Sequence, residues 1–249
     1  MNKMASAFAN GKALIPFITC GDPDLDTTAA AVKEAVQSGA DMIVLGIPFS
    51  DPTAEGPVIQ AANIRALNGG VKTDKVLALV RSLREDVNIP MVFMTYANVV
   101  FSYGAEAFIS ACADIGIDGL LLPDIPYEEK DEFLPLCRRY DVRLISMIAP
   151  APASRIKMIA EKAEGFIYLT KNPDTTDVEL REMVRVIRES TSVPCVAGCT
   201  AAAEADGVIV DEAMITLLEQ YGSRAPGHIG KLVSEIKQSL SAHKQCLSV

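Results

Sequence analysis

Eight short apolar segments alternate with amphipathic segments along this 249-residue chain. Each apolar segment is nearly continuous, which is typical of strands buried on both faces of a parallel sheet. The predicted strands are Ala13–Thr19, Met42–Gly46, Met91–Thr95, Gly119–Leu122, Arg143–Ile148, Gly165–Thr170, Pro194–Ala197 and Gly207–Val210. Eight strands with helices between them, over a chain of about 250 residues, predict a single (β/α)8 TIM barrel that comprises residues 1–249. An open doubly wound sheet is the alternative, although the G-x-G-x-x-G fingerprint after the first strand is absent.

The amphipathic segments predict the helices that cover this sheet. The predicted helices are Thr27–Ser38, Lys75–Glu85, Ala105–Ile115, Tyr127–Tyr140, Ser154–Ala163 and Val178–Ser190. Thr27 and Ser154 are the predicted N-caps, because a hydroxyl can accept from the first free backbone N–H groups. Gly39 and Gly116 are predicted to end the preceding helices.

The connection between the seventh and eighth predicted strands is too short for a regular barrel. Only Gly198–Asp206 separates them, whereas a parallel crossover needs about a dozen residues and usually a helix. We therefore expect that the helix between strands seven and eight is missing or truncated, or that the barrel is open or distorted there. A wrongly placed seventh strand is the other explanation.

Composition excludes several classes of function. With 49% apolar residues and 22% charged residues the chain can bury a large core. Its net charge of −9 argues against a nucleic-acid partner. No apolar run reaches the roughly 18 residues of a membrane span, and the first residues lack the apolar core of a signal peptide. We expect a cytoplasmic protein without a membrane partner.

The six cysteines are scattered and lie mostly in apolar segments, so we expect buried free thiols. Cys195 and Cys199 form a C-x3-C pair with no second pair and no nearby histidine. A metal site is therefore not predicted.

Polar residues follow several of the predicted strands, where a barrel places its active site. They are Asp22, Asp51, Glu55, Tyr96, Asn98, Asp124 and Thr176. Each has a structural interpretation as well, since Asp22 can cap a turn, Asp124 can order its loop and Asn98 can bond its own backbone. Their convergence on one rim of the barrel is what favours a functional site.

The same loops resemble those of the tryptophan synthase alpha subunit. The resemblance is carried by PFITCGDPD, LGIPFSDPTAEGPVIQ, MTYANVVFSYG and GLLLPDIPYEE, with a weaker match at ADGVIV. It implies a TIM barrel, which agrees with the strand pattern. It also implies retro-aldol cleavage of indole-3-glycerol phosphate to indole and glyceraldehyde 3-phosphate. The resemblance implies no cofactor in this chain, because pyridoxal phosphate belongs to a beta subunit bound in an α2β2 complex.

Two positions that the resemblance assigns to proton transfer and indole binding differ from the family pattern. Val44 occupies the position of the strand-two glutamate that acts as general acid/base, and valine cannot move a proton. Glu55 replaces the loop aspartate that contacts the indole nitrogen, so the carboxylate is retained with one more methylene. The resemblance also assigns substrate binding to Phe17, Tyr96, Asp124, Tyr168 and Thr176.

The phosphate-binding glycines of the family are replaced. Asp174 and Asp177 stand where the sixth loop of the family has glycines, and Gly198, Cys199 and Thr200 replace its G-F-G-I-S loop. Asp211 and Glu212 replace the start of the G-S-A-I-V helix. Acidic residues at a helix N-terminus suit the helix dipole, but they repel a phosphate dianion.

The partner-facing residues of the resemblance, Asp51, Pro52 and Asn98, are retained. Three hypotheses follow. The chain still cleaves indole-3-glycerol phosphate, with Glu55 and Asp124 covering the missing acid. Alternatively, it is an inactive alpha-like subunit that docks on a beta subunit or on itself. As a third alternative, the barrel has been repurposed for a non-phosphorylated or cationic ligand. The residues favour impaired or lost cleavage.

Overall fold

The structure, a computed structural model, describes residues 3–172, 174–198 and 204–246. Eight parallel strands form a closed barrel in the order of the chain. They are β1 (Ala13–Thr19), β2 (Ile43–Gly46), β3 (Met91–Met94), β4 (Gly119–Leu121), β5 (Arg143–Ile148), β6 (Glu164–Leu169), β7 (Cys195–Gly198) and β8 (Gly207–Val210). β8 pairs with β1 from Ala13↔Gly207 to Pro16↔Val210, which closes the sheet on itself. The TIM barrel predicted from the sequence is confirmed, and the open sheet is wrong.

Helices surround the barrel. They are α1 (Lys3–Ala7), α2 (Leu25–Gln37), α3 (Pro57–Asn68), α4 (Thr73–Leu83), α5 (Ala97–Tyr103), α6 (Ala105–Asp114), α7 (Leu134–Arg139), α8 (Ala153–Ala160), α9 (Asp177–Ser190), α10 (Glu212–Tyr221) and α11 (Ala225–Cys246). Two short 3-10 helices, Tyr127–Glu132 and Gly222–Arg224, complete the set among the described residues. None of the helices in this part of the chain combines the length and the apolarity that a membrane span requires.

Several predicted helix ends are wrong. Thr27 lies inside α2, and Asp24 is the N-cap, because its carboxylate accepts from the Thr27 N–H at 2.7 Å. Ser154 lies inside α8, which starts after Pro152 without a side-chain cap. Gly39 and Gly116 do follow helix ends, with φ of +105° and +76°, a conformation that favours glycine.

One helix prediction and one loop prediction are also corrected. The predicted helix Tyr127–Tyr140 is divided into a 3-10 helix and α7, which has Pro135 in its first turn. Proline has no N–H and disfavours a helical conformation of the residue before it, so a continuous helix is interrupted there. The segment read as a loop after β3 contains α5.

The barrel closes across the short connection between β7 and β8. Residues 199–206 separate the two strands, and 204–206 form a turn and bend. Residues 199–203 lie outside the described part of the chain. β7 starts one residue later than predicted and pairs with β8 from Val196↔Gly207 to Gly198↔Ile209. An open barrel at this point is therefore excluded.

Three aspartates fasten the strands at the amino end of the barrel. Asp41 accepts from the Leu14 N–H at 2.7 Å, Asp118 from Met91 N–H at 2.9 Å, and Asp206 from Cys195 N–H at 2.8 Å. Each aspartate lies just before β2, β4 or β8, and its carboxylate accepts a hydrogen bond from the start of β1, β3 or β7, respectively. The same three carboxylates pair with Lys237, Arg84 and Arg188, respectively.

Buried apolar side chains fill the barrel and the space beneath its helices. The largest that are fully buried include Phe93, Phe108, Phe133 and Phe166. Cys20, Cys112, Cys137 and Cys195 are buried free thiols, as predicted. Cys199 and the side chain of Cys246 lie outside the description.

We predict that Asp206→Ala lowers the free energy of unfolding by about 1–3 kcal/mol, because it leaves the Cys195 N–H in the β7–β8 junction without its acceptor. Urea unfolding followed by circular dichroism measures the change. Asp86→Ala is the matched control, since Asp86 is exposed and pairs only with the exposed Lys33; we expect a loss of about 1 kcal/mol or less. Equal losses in the two variants would contradict this role of Asp206.

Candidate ligand-binding site

A cavity of about 500 Å³ opens at the carboxyl ends of the strands. Parallel barrels bind small molecules at this end, where the loops after the strands converge. The polar and charged side chains that line it are Glu55, Tyr168, Thr170, Lys171, Asp211 and Glu212. Its size is that of a small-molecule site.

The floor of the cavity is apolar. A recess of about 20 Å³ adjoins the cavity and shares Glu55, Tyr168 and Asp211 with it. The other side chains that line the recess are apolar and are Phe17, Val44, Ile59, Met94, Leu121 and Ile209. Phe17 and Val44 are paired across β1 and β2 and are 4% and 1% exposed. The structure thus places Val44 on the floor of the cavity, and β2 contributes no carboxyl group.

Glu55 enters the cavity from the loop between β2 and α3. The loop is fixed by backbone contacts, since Ala54 N–H donates to the Tyr96 hydroxyl at 3.0 Å and the Gln60 amide donates to the Glu55 carbonyl at 2.8 Å. Burial, and then the nearby Asp211, raise the pKa of the Glu55 carboxyl from 4.5 to about 7. Glu55 is therefore able both to give and to accept a proton near neutral pH.

Asp211 and Glu212 line the cavity at the start of α10. The Asp211 carboxylate accepts from the Glu212 N–H at 2.7 Å, and its carbonyl accepts from Met214 N–H at 2.9 Å. A Cβ added to Gly56 would lie 3.0 Å from the Glu212 carboxylate, which places Glu212 beside the N-terminus of α3. The two acids predicted from the sequence therefore line the same cavity as Glu55.

Tyr168 of β6 lines the cavity together with these acids. Burial, Asp211 and Glu55 all raise the pKa of its hydroxyl, so the group stays protonated and can donate a hydrogen bond. Lys171 follows two residues after the end of β6 and is the one cation among the described residues that line the cavity. The sequence interpretation missed Lys171, although its position just beyond a predicted strand was a usable signal.

Thr176 and Asp177 are not among the residues that line the cavity. Thr176 caps α9 in a capping box, in which its hydroxyl accepts from Glu179 N–H at 3.2 Å and its N–H donates to the Glu179 carboxylate at 2.8 Å. Asp177 is the first residue of that helix. Gly198 does line the cavity, while Cys199 and Thr200 lie outside the described residues.

The remaining predicted residues form the rim. The Tyr96 ring stacks on Phe49 at 5.0 Å between centroids, and burial is the main cause that raises the pKa of its hydroxyl to about 12. Both carboxylate oxygens of Asp124 accept from the Ala97 N–H at 3.1 Å, which supports the loop-ordering interpretation. Asp51 and Asn98 are exposed and Pro52 is buried.

The described residues contain no group of three or more His, Cys, Asp or Glu side chains placed to bind a metal. A closed (β/α)8 barrel with a ligand-sized cavity at the carboxyl ends of its strands, an apolar floor and titratable walls defines a small-molecule-binding TIM-barrel protein of the kind that includes many enzymes.

Comparison with known proteins identifies the family. The family model described as "Tryptophan synthase alpha chain" matches residues 4–245. A tryptophan synthase alpha chain of Lacticaseibacillus casei is 41% identical, with 98% of each chain covered. The tryptophan synthase subunit alpha of Legionella pneumophila superposes with a TM-score of 0.88 at 32% identity, covering 97% of this chain and 99% of the other. A chain of the tryptophan synthase complex from Pyrococcus furiosus gives 0.85 at 30% identity, covering 92% and 98%. This chain belongs to the tryptophan synthase alpha chain family.

We predict that Glu55→Gln stabilises the protein in a pH-dependent way. Because the pKa of Glu55 is higher in the folded state than in the unfolded state, ionisation above pH 4.5 favours unfolding, and the penalty is complete above about pH 7. The variant should match the wild type below pH 4 and exceed it by about 1–3 kcal/mol at pH 8. Urea unfolding over this pH range measures the difference. Glu189→Gln on the exposed face of α9 is the control; a difference that stays constant with pH at position 55 would refute the raised pKa.

Proposed function

We propose that this chain is an alpha-type subunit in which cleavage of indole-3-glycerol phosphate is impaired or lost. The observation that carries the proposal is the carboxylate of Asp211, which caps the start of α10 at the wall of the cavity. In a barrel of this type the start of that helix is where a phosphate group binds.

A phosphate dianion is disfavoured in this cavity by its own walls. Two like charges about 4 Å apart repel by about 4 kcal/mol at an effective dielectric constant of 20. Glu55, Asp211 and Glu212 all line the cavity, opposed by Lys171. A helix N-terminus contributes about 0.3–1 kcal/mol toward an anion, which is too little to offset several carboxylates.

Proton transfer to the indole ring is also weakened. Val44 on the cavity floor has no proton to give, and loss of a positioned acid typically costs about 10²–10⁴-fold in rate. Glu55 is the remaining acid, because its pKa of about 7 keeps a substantial protonated fraction at neutral pH. Any residual cleavage that depends on protonated Glu55 should fall as the pH rises above 7.

The partner of the subunit is proposed to be a tryptophan synthase beta subunit that carries pyridoxal phosphate. Membership of the alpha chain family supports this proposal, as does the similar chain from the Pyrococcus furiosus complex. Asp51, Pro52 and Asn98 on the rim are the proposed docking residues.

Indole release from indole-3-glycerol phosphate tests the proposal directly. We expect at least about a 10²-fold lower rate than that of the Lacticaseibacillus casei alpha chain, measured with and without a beta subunit. Val44→Glu alone should remain slow, whereas Val44→Glu combined with Asp211→Ser and Glu212→Ala should gain activity. Val178→Glu, which adds the same charge at a site 73% exposed, controls for charge alone. Full restoration by Val44→Glu alone would show that the phosphate site works. A wild-type rate of indole release within about tenfold of that of the Lacticaseibacillus casei alpha chain would contradict the proposal.

A cationic ligand is the second candidate, because three carboxylates and one lysine line the cavity above an apolar floor. We predict that tryptamine binds more tightly than indole-3-propionate, which has an indole ring but a carboxylate instead of an ammonium group. The chain contains no tryptophan, so the fluorescence of the ligand reports binding directly. Asp211→Asn should weaken tryptamine at least about fivefold, and binding should tighten as Glu55 ionises between pH 6 and 8. Equal affinity for both probes would eliminate this candidate.

A further inference from the structure

Two helices aim their N-termini at the same cavity. Glu55 immediately precedes the N-cap of α3, and Asp211 is the N-cap of α10. The two helix starts are close, since a Cβ on Gly56 would lie 3.0 Å from the Glu212 carboxylate. The positive helix ends repel each other and so do the three carboxylates, although each carboxylate attracts the helix ends. Besides the packing of α3 on α10, one polar contact holds the two helices at this separation.

Arg65 makes that contact. Its guanidinium donates to both carboxylate oxygens of Asp22, at 2.7 and 2.8 Å, and to the Glu219 carboxylate at 2.9 Å. Asp22 is fully buried, just after β1. Arg65 lies on α3 and Glu219 on α10, so one side chain ties a strand end to both helices. The bidentate geometry suits arginine and not lysine.

The Arg65–Glu219 contact lies at a similar distance from the N-terminus of each helix. Arg65 is eight residues after the first residue of α3, and Glu219 is seven residues after the first residue of α10. At 1.5 Å per residue both positions are about 10–12 Å from the helix starts. The hydrogen bond between Arg65 and Glu219 therefore joins the two helices about two turns beyond their starts.

We propose that Arg65 is a positioning residue that sets the separation of the α3 and α10 N-termini and so brings Glu55 against Asp211. The inference deepens the proposed function, on which it rests, because the Coulombic repulsion between Glu55 and Asp211 across the cavity affects both proton donation by Glu55 and the attraction of the cavity for cations.

Other charged and titratable groups also face Glu55. Glu212 comes with Asp211 from α10, Tyr168 and Lys171 come from β6 and the residues that follow it, and Tyr96 faces Glu55 from the end of β3. None of these is bonded to Arg65 among the described residues, so a change at Arg65 acts on Glu55 through helix placement.

The titration midpoint of Glu55, followed by ¹³C NMR of its carboxyl carbon, tests the inference without substrate or beta subunit. Glu219→Gln removes the ion pair between Arg65 and α10 and leaves the Arg65–Asp22 ion pair intact. We expect it to lower the midpoint by about half a pKa unit or more, because Asp211 moves away from Glu55. Arg65→Met should lower the midpoint further. Arg65→Lys should give a midpoint between those of Arg65→Met and wild type, since lysine keeps the charge but cannot donate two parallel hydrogen bonds to one carboxylate. Glu189→Gln, a distant exposed glutamate in an ion pair, should leave it unchanged.

Measurements at about 1 M salt separate positioning from simple charge removal, since the Debye length is then only about 3 Å. A shift in Glu219→Gln that persists at high salt supports positioning. A shift that vanishes at high salt, or a midpoint unchanged in Glu219→Gln, would overturn the inference even if Arg65→Met fails to fold. Because the readout needs no turnover, its failure is distinct from a failure of the proposed function.

Discussion

The fastening of the strands at the amino end of the barrel is the constraint on which the rest of the structure depends. Asp41, Asp118 and Asp206 each accept a backbone N–H from the neighbouring strand and pair with a cation from a surrounding helix. These closing contacts matter most between β7 and β8, because a connection of only eight residues joins the two strands. A parallel crossover usually contains a helix. Asp206 bonds both the Cys195 N–H and its carbonyl there, and its own carbonyl accepts from Ala13 N–H. A barrel closed at this end can present its loops in register at the other.

At the carboxyl end of the barrel, the properties of the cavity depend mainly on electrostatic interactions. The cavity has an apolar floor around Val44 and acidic walls from Glu55, Asp211 and Glu212. Burial and the neighbouring carboxylate raise the pKa of Glu55 to about 7, so the charge of the cavity changes within the physiological pH range. The site therefore combines acidic walls with an acid whose pKa is close to neutral pH. The barrel architecture is that of the solved alpha subunit from Legionella pneumophila.

Much of the fold could be predicted from the sequence. β1, β5 and β8 have the predicted bounds, and the other strands differ by one residue at one or both ends, because continuous apolar runs report burial on both faces. Helix starts were predicted less well. At α2 the chain offers Asp24 as well as Thr27, and only the surrounding packing selects the cap. Glu55, Asp211 and Glu212 line one cavity, and Val44 lines the recess that adjoins it. Thr176 was expected to bind substrate, yet its capping box with Glu179 places it at the start of α9.

The sequence by itself determined the barrel, the valine at position 44 and the acidic start of α10, because each is a matter of which residue stands at a position in a local pattern. Tertiary structure decided how these residues act on one another. Glu55 and Asp211 are 156 positions apart in the chain, and their effect on each other's charge depends on a separation that no local pattern encodes. The helices that carry these groups, α3 and α10, are joined to each other and to the end of β1 by the Arg65 contacts to Asp22 and Glu219. Long-range Coulomb energies and burial depend on distance in space, and only the closed barrel brings these groups together.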